Sequence, residues 1–211
     1  MTGRLSETII ALMGCGYGGK MSRAFCVCAL VLAACPLVLP AVAQESTKKA
    51  DALKPVPSPS QVVLAQWNDV GRKLVAMAED LPENKYDYKP HPDSRTFVVQ
   101  LLHVSASMYY FTDVAQGQKV RYGDDPSRDQ LKTKAQVVAF VKKSVEDGAN
   151  LIKAKGDAGM TVVAQDPESN QKLRISELAY SVIEHSGEHY GQLVVYYRIN
   201  GMVPPESRPR T

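Results

Sequence analysis

His185 and His189 stand four residues apart in the stretch Leu178–Gly201. The inward positions of that stretch step by alternating fours and threes: Leu178, Val182, His185, His189, Gln192, Tyr196, Ile199. Such alternation marks the seam of a helix that faces other helices. Three of the seven positions are polar, and a polar group buried without a partner costs about 1–3 kcal/mol. Two imidazoles and an amide on a core seam therefore need partners. Residues one turn apart have Cβ atoms about 5–6 Å from each other, close enough for both imidazoles to hold one divalent metal. Glu184 and Glu188 lie off the seam, so this is not an H-E-x-x-H arrangement. Gln192 can be an amide satisfied in the core, a group supporting the ligands from behind, or an amide facing substrate.

A third imidazole, His103, falls in the middle of another predicted helix, a quarter turn or more from its apolar stripe and so toward a groove between helices. Three imidazoles brought together make a catalytic-type site with an open coordination position. The competing reading of an i, i+4 pair is a surface or hydrogen-bonded feature. What favours a metal is the joint pattern of two histidines and a glutamine on a core seam with no inward carboxylate expected beside them. His91, set between Lys89-Pro90 and Pro92, reads as an exposed loop residue. Imidazole suits zinc, nickel or copper better than calcium or magnesium, which prefer oxygen. Softer ligands are absent from the folded part, because all four cysteines (Cys15, Cys26, Cys28, Cys35) lie in the first 35 residues. Disulfides, cysteine zinc ribbons, thioredoxin-type redox chemistry and cysteine nucleophiles are thereby excluded beyond residue 35.

Four predicted helices must position these groups. The first opens at Ser58-Pro59-Ser60-Gln61, a capping box with proline at the first helical position. It turns Val63, Trp67, Val70, Leu74 and Met77 inward and closes at Leu81-Pro82. Glu83–Asp93, with Tyr86, Tyr88, Pro90 and Pro92, is expected to be an extended surface loop. The second helix runs from Ser94 or Thr96 to Ala115 with Phe97, Leu101, Val104, Met108 and Phe111 inward. A loop follows over Gly117–Gln130, containing Gly123-Asp124-Asp125-Pro126. The third starts at the capping box Thr133-x-x-Gln136 and buries Val138, Val141, Val145 and Ile152. A Gly/Asp-rich linker, Gly156–Asn170, leads to the fourth, which Gly201 ends in the left-handed C-cap position before Pro204-Pro205. No β alternation or internal repeat is visible, so the fold class is all-α, a four-helix bundle. The core is expected to hold Trp67, Leu74, Leu101, Met108, Val141, Val145, Val182 and Ile199.

The chain has 211 residues, 45% hydrophobic and 22% charged, as in an ordinary globular protein, and a formal charge of +3. A nucleic-acid partner would call for a basic cluster, and none is visible. Residues 1–43 read as an export signal. Arg23 precedes the apolar run Ala24–Pro40, and Ala41-Val42-Ala43 before Gln44 suits signal peptidase. Residues 1–20 read as an upstream extension, with Met21 the alternative start. Leu32-Ala33-Ala34-Cys35 resembles a lipobox, which would make Cys35 a lipidated N-terminus. The apolar run is too short and proline-interrupted for a stable membrane span. Residues 44–57 then form a flexible leader, 58–205 the bundle and 206–211 a tail, and the protein is expected to be periplasmic or otherwise extracytoplasmic.

Taken together, Leu81-Pro82-Glu83, Tyr88-Lys89-Pro90, Thr96-Phe-Val-Val-Gln-Leu-Leu-His103, His185-x-x-x-His189-x-x-Gln192 and Gly201-x-x-Pro-Pro resemble the DinB-like (YfiT-like) metal-binding superfamily, over Trp67 to Pro205. The resemblance implies a four-helix bundle of DinB-like type and places the family's metal-binding histidines on His103, His185 and His189, with zinc or nickel the usual occupant. It also implies thiol-dependent transferase or isomerase chemistry with a low-molecular-weight thiol, although an export signal departs from those cytosolic enzymes. Three functions follow. The first is a metal-dependent enzyme, a transferase or hydrolase, acting on a small molecule such as a thiol. The second is a non-catalytic metal- or ligand-binding bundle, and the third a structural bundle with hydrogen-bonded histidines. A homodimer is left open.

Overall fold

The computed structural model describes residues 55–209. The export signal, Cys35, most of the leader and the last two residues of the tail lie outside the described residues. Helix α1 (Pro59–Asp80) starts where Ser58 N–H donates to Gln61 Oε1 at 2.8 Å. Asp157, from a distant helix, adds a second cap by accepting from the Ser58 hydroxyl at 2.9 Å and from Ser60 N–H at 2.8 Å. Helix α2 (Phe97–Ala115) is capped by Thr96, whose Oγ1 accepts from Val99 N–H at 3.3 Å. Helix α3 (Lys134–Met160) carries the reciprocal Thr133–Gln136 box, with Thr133 N–H donating to Gln136 Oε1 at 3.0 Å and Gln136 N–H donating to Thr133 Oγ1 at 3.3 Å. Helix α4 (Ile175–Ile199) ends on Gly201 at φ +69°. There Met202 N–H reaches Tyr197 O and Gly201 N–H reaches Arg198 O, both at 3.0 Å. That pair of bonds satisfies the last-turn carbonyls in the Schellman manner, which needs a left-handed residue and favours glycine.

The helices form a four-helix bundle in which α1 and α2 each pack along both α3 and α4. Helices α1 and α2, neighbours in sequence, therefore sit on opposite corners, and so do α3 and α4. Each connector between diagonal partners must cross an end of the bundle. The first crossing, Leu81 to Thr96, is not the exposed loop expected from sequence: it holds a short 3₁₀ turn at Glu83–Lys85 and buries Tyr86 completely. The Tyr86 hydroxyl donates to Ala78 O, which explains why a polar aromatic can close the bottom of the core. The second crossing also differs. Helix α3 is broken at Gly156, where the backbone leaves the helical region at φ +55°, and resumes as a short helical segment to Met160; a small antiparallel hairpin follows, β1 (Val163–Gln165) pairing with β2 (Lys172–Arg174) in the register Ala164 to Leu173. Strands of three residues are too short to display an alternation in sequence.

The core is centred on Trp67, fully buried, its ring 5.0 Å from that of Phe111 and its Nε1–H donating to Val145 O at 2.9 Å. Leu74, Leu101, Met108, Val141 and Val182 are buried as expected. Val138 and Val145 are only half-buried, because α3 turns Val137, Val141, Ser144 and Gly148 inward instead. Two positions of the α4 seam fail: Ile199 is 56% exposed and Gln192 is exposed, while Leu193 and Tyr197 take the inner face. A strict alternation of fours and threes repeats every 3.5 residues, and a straight helix drifts from it by about 20° per heptad. Over three heptads the expected seam rotates off the core.

Among the described glycines Gly148 has the closest neighbour: a Cβ there would lie 2.0 Å from Trp67 Cζ2. Gly187, on the outer face of α4, has nothing within 4 Å. Alanine favours a helix interior over glycine by about 1 kcal/mol, whereas overpacking costs about 1–3 kcal/mol. Gly148→Ala should therefore lower the urea midpoint and Gly187→Ala should raise it. Equal midpoints for the two variants would show that Trp67 does not sit against α3 as described.

Candidate metal centre

Helix α2 brings His103, and helix α4 brings His185 and His189, to one point where these two helices pack side by side. Nε2 of His103 lies 3.2 Å from Nε2 of His185. The three ring centroids are 4.4–5.1 Å apart, and one nitrogen from each ring falls within 4.8 Å of the others. His189 is buried; His103 and His185 are half-buried. His91, by contrast, is in an exposed turn where its Nδ1 accepts from Asp93 N–H at 3.2 Å, away from the cluster.

What makes the cluster a receptor for a cation is the state of the outer nitrogens. His103 Nδ1 donates to both carboxylate oxygens of Asp125 at 2.9 Å. His189 Nδ1 donates to Gln100 Oε1 at 2.7 Å, and the Gln100 amide in turn donates to Gln192 Oε1 at 2.6 Å. A neutral imidazole that donates from Nδ1 carries its lone pair on Nε2. Two of the three rings are thus locked with lone pairs facing inward, the arrangement by which metal-binding histidines are commonly oriented. The spacing of His103 and His185 fits as well. Nitrogens each about 2.0–2.1 Å from a tetrahedral zinc lie about 3.3 Å from one another. The donor set therefore fits a divalent metal.

Asp125 and Gln100 are the two groups that reading the sequence missed. The expectation that no carboxylate faces the histidines is corrected by Asp125. It comes from the loop after α2, 22 residues from His103, and nothing in its spacing pointed inward. That loop is tied down by Asp113, 1% exposed, which accepts from the backbone N–H of Arg121 at 2.9 Å and from its guanidinium at 2.5–3.1 Å. The Arg121 guanidinium also stacks over Tyr109, 4.6 Å from the ring centre, and Pro126 beside Asp125 is buried. Gln100 could have been found: it sits three residues before His103 on α2, hence one turn away. Gln192, one of the candidate residues, meets the site through Gln100 rather than by touching a histidine.

Burial and the crowding of imidazoles favour the neutral forms of His185 and His189. Burial, then the neighbouring His185 and His103, press the His189 pKa down to about 4. Burial and His103 likewise lower that of His185. Beside the histidines lies a cavity of about 480 Å³, reached from His103 and His185 and walled by α2, the 117–130 loop, the β hairpin and α4.

A family model described as DinB superfamily matches residues 66–193. No curated protein sequence matches the chain. Among solved structures, the DinB-like protein YjoA of Bacillus subtilis is 18% identical with a TM-score of 0.56, over 71% of this chain and 99% of that one. A DinB-like protein of Bacillus cereus is 14% identical with a TM-score of 0.57, over 68% and 93%. YfiT of Bacillus subtilis, described as a probable metal-dependent hydrolase with an unusual four-helix bundle topology, is 14% identical with a TM-score of 0.55, over 72% and 94%. These likenesses establish the fold.

The lowered pKa of His189 has a definite consequence for stability. The unfolded chain takes up a proton near the ordinary imidazole value of 6.5 and the folded chain at about 4. Stability therefore falls as pH drops between those values, because the unfolded state binds more protons. Metal-free wild type should lose more stability from pH 7 to pH 4.5 than His189→Gln does, measured by urea unfolding. Parallel curves for the two would refute a buried, neutral His189.

Proposed function

The chain belongs to the DinB superfamily, and from that membership and the three-histidine cluster we propose that it is an exported metal-dependent enzyme acting on a small molecule. His103, His185 and His189 hold one divalent ion, with zinc or nickel the natural occupants of an all-imidazole set. The observation that carries this reading is the convergence of the three imidazoles, with Nε2 of His103 and of His185 3.2 Å apart and Asp125 and Gln100 fixing the outer nitrogens of His103 and His189. When bound, the metal supplies a Lewis acid that activates a thiol or water and polarises the substrate.

The protein's own groups do the rest. Asp125 keeps His103 in the tautomer that binds a cation and stabilises positive charge near it. Gln100 does the same for the His189 tautomer without adding a charge. The burial that holds His185 and His189 neutral keeps both ready at neutral pH, where a protonated imidazole could not ligate. The cavity beside His103 and His185 gives a small molecule a route to the open side of the cluster. Hydrolysis is the reaction type favoured by the likeness to YfiT, and transfer to a low-molecular-weight thiol is the second. Because residues 44–211 hold no cysteine, any thiol nucleophile must come from a substrate. Export rests on the Ala41-Val42-Ala43 site after an apolar run; among the described residues no helix is long and apolar enough to cross a membrane.

Two tests follow. Purified chain should take up one zinc or nickel ion, and chelation should lower its melting temperature, since a ligand at 100 times its Kd stabilises by about 2.7 kcal/mol. His103→Ala, His185→Ala and His189→Ala should each abolish that chelator effect, Gln100→Leu should weaken metal affinity about 10–100-fold, and His91→Ala should change nothing. Metal uptake that survives all three histidine substitutions would sink the assignment. For export, mass spectrometry of secreted or periplasmic material should find an N-terminus at Gln44. An intact Met1 or Met21 in cytoplasmic protein would rule export out, and a diacylated Cys35 would replace cleavage after Ala43 with the lipoprotein route.

A further inference from the structure

The cavity beside His103 and His185 has a hydrogen-bonding character that narrows what can enter it. Three of its four hydroxyl groups, all but that of Tyr122, donate their protons within the protein. Ser107 Oγ donates to His103 O at 3.1 Å, Ser181 Oγ donates to Glu177 O at 3.1 Å, and the Tyr110 hydroxyl donates to Asp166. What these three turn to the cavity is lone pairs. The hairpin side adds the carboxylates of Asp166 and Glu168, and no Lys or Arg lines the space. Asp166 is fixed by donation from the Ser169 hydroxyl at 2.6 Å and from Glu168 N–H at 3.0 Å, as well as from Tyr110. Burial pushes its carboxyl up, but these donors outweigh burial and hold it below its ordinary value, so it is charged at neutral pH. With its oxygens engaged by these donors, Asp166 contributes to the wall chiefly through its charge. Glu168 is exposed at the cavity and forms no ion pair among the described residues.

A wall of acceptors and negative charge is complementary to a ligand rich in N–H donors. It penalises a carboxylate or phosphate both by charge and by leaving acceptors facing acceptors. The floor is apolar where Ala106, Leu173 and Val182 line it, which suits a short carbon spacer. Resting on the proposed metal-dependent function, we propose that the substrate of this site carries an amino group, held as an ammonium by Glu168 and Asp166, on a short spacer from the group that reaches His103 and His185. Anionic substrates are selected against. The hairpin that follows α3 is then the element that sets specificity, while α2 and α4 set the chemistry.

The test uses three small thiols that differ in the terminal group: cysteamine, 2-mercaptoethanol and 3-mercaptopropionate. Zinc uptake by the purified full chain is measured first, and binding of each thiol to the zinc-loaded chain is then followed by calorimetry at pH 7.5. Cysteamine should bind most tightly and 3-mercaptopropionate most weakly, about tenfold apart for one ammonium against one exposed carboxylate and one buried one. Glu168→Gln, an exposed substitution that leaves the Asp166 contacts in place, should compress that range to about threefold, and added salt should compress it as well. Asp166→Asn should act in the same direction. Zinc uptake with 3-mercaptopropionate binding as tightly as cysteamine, an ordering untouched by Glu168→Gln, or no binding of any of the three overturns the amino-group assignment and leaves the metal reading standing. Failure to take up zinc or nickel at all overturns the metal reading, and this inference with it.

Discussion

The contact between α2 and α4 is the constraint on which the site depends. Three imidazoles brought into a half-buried groove would be expensive if their ring nitrogens were left unpaired, and repulsive if they were protonated together. The fold answers with two acceptors of different kinds. Asp125 takes the outer nitrogen of His103, at the more open edge, where a carboxylate stays hydrated. Gln100, 4% exposed, takes that of His189 deeper in, where an amide avoids the cost of an isolated buried charge. With both outer positions committed, the inner lone pairs have nowhere to point but toward one another.

That arrangement reaches outward into the rest of the bundle. Asp125 can serve His103 only because its loop is held, and the anchor is the almost fully buried Asp113 gripping Arg121 by backbone and side chain. Gln100 is held by Gln192 one helix away, so an exposed residue of α4 helps orient a buried one of α2. On the far side of α2, Phe111 packs on Trp67, and Trp67 presses against Gly148 so closely that no side chain of α3 fits between the indole and the α3 backbone. The spacing of α1 and α3 is therefore set by glycine and indole.

The diagonal order of helices gives the molecule two crossing connectors, and they do different work. The first folds Tyr86 under the bundle and closes the core. The second makes the hairpin, whose Asp166 ties back to Tyr110 on α2 and so brings an acidic wall to the cavity mouth. The histidines and the acidic wall thus come from separate segments of the chain.

Much of this was written in the sequence. Helix starts were legible because a cap is a local pattern: Ser58 with Gln61, Thr96 alone and Thr133 with Gln136 each satisfy orphan N–H groups within one turn. The end of α4 was legible for the same reason, since Gly201 answers a backbone need at a single residue. His185 and His189 could be paired from their spacing, and His103 was the remaining helical histidine. Tertiary structure decided everything that depends on two segments meeting. Which helices are neighbours, and hence that α2 lies along α4, follows from the whole set of packed faces and not from any one of them. Asp125 became a partner of His103 only when its loop was folded back by Arg121. Tyr86 turned inward although proline-rich neighbours marked its segment as surface. Gln192 and Ile199 left the seam because a straight helix accumulates a small angular error at every turn. Sequence fixes local hydrogen bonding within about one turn; long-range register is a sum over many weak contacts, and only the folded chain carries it out.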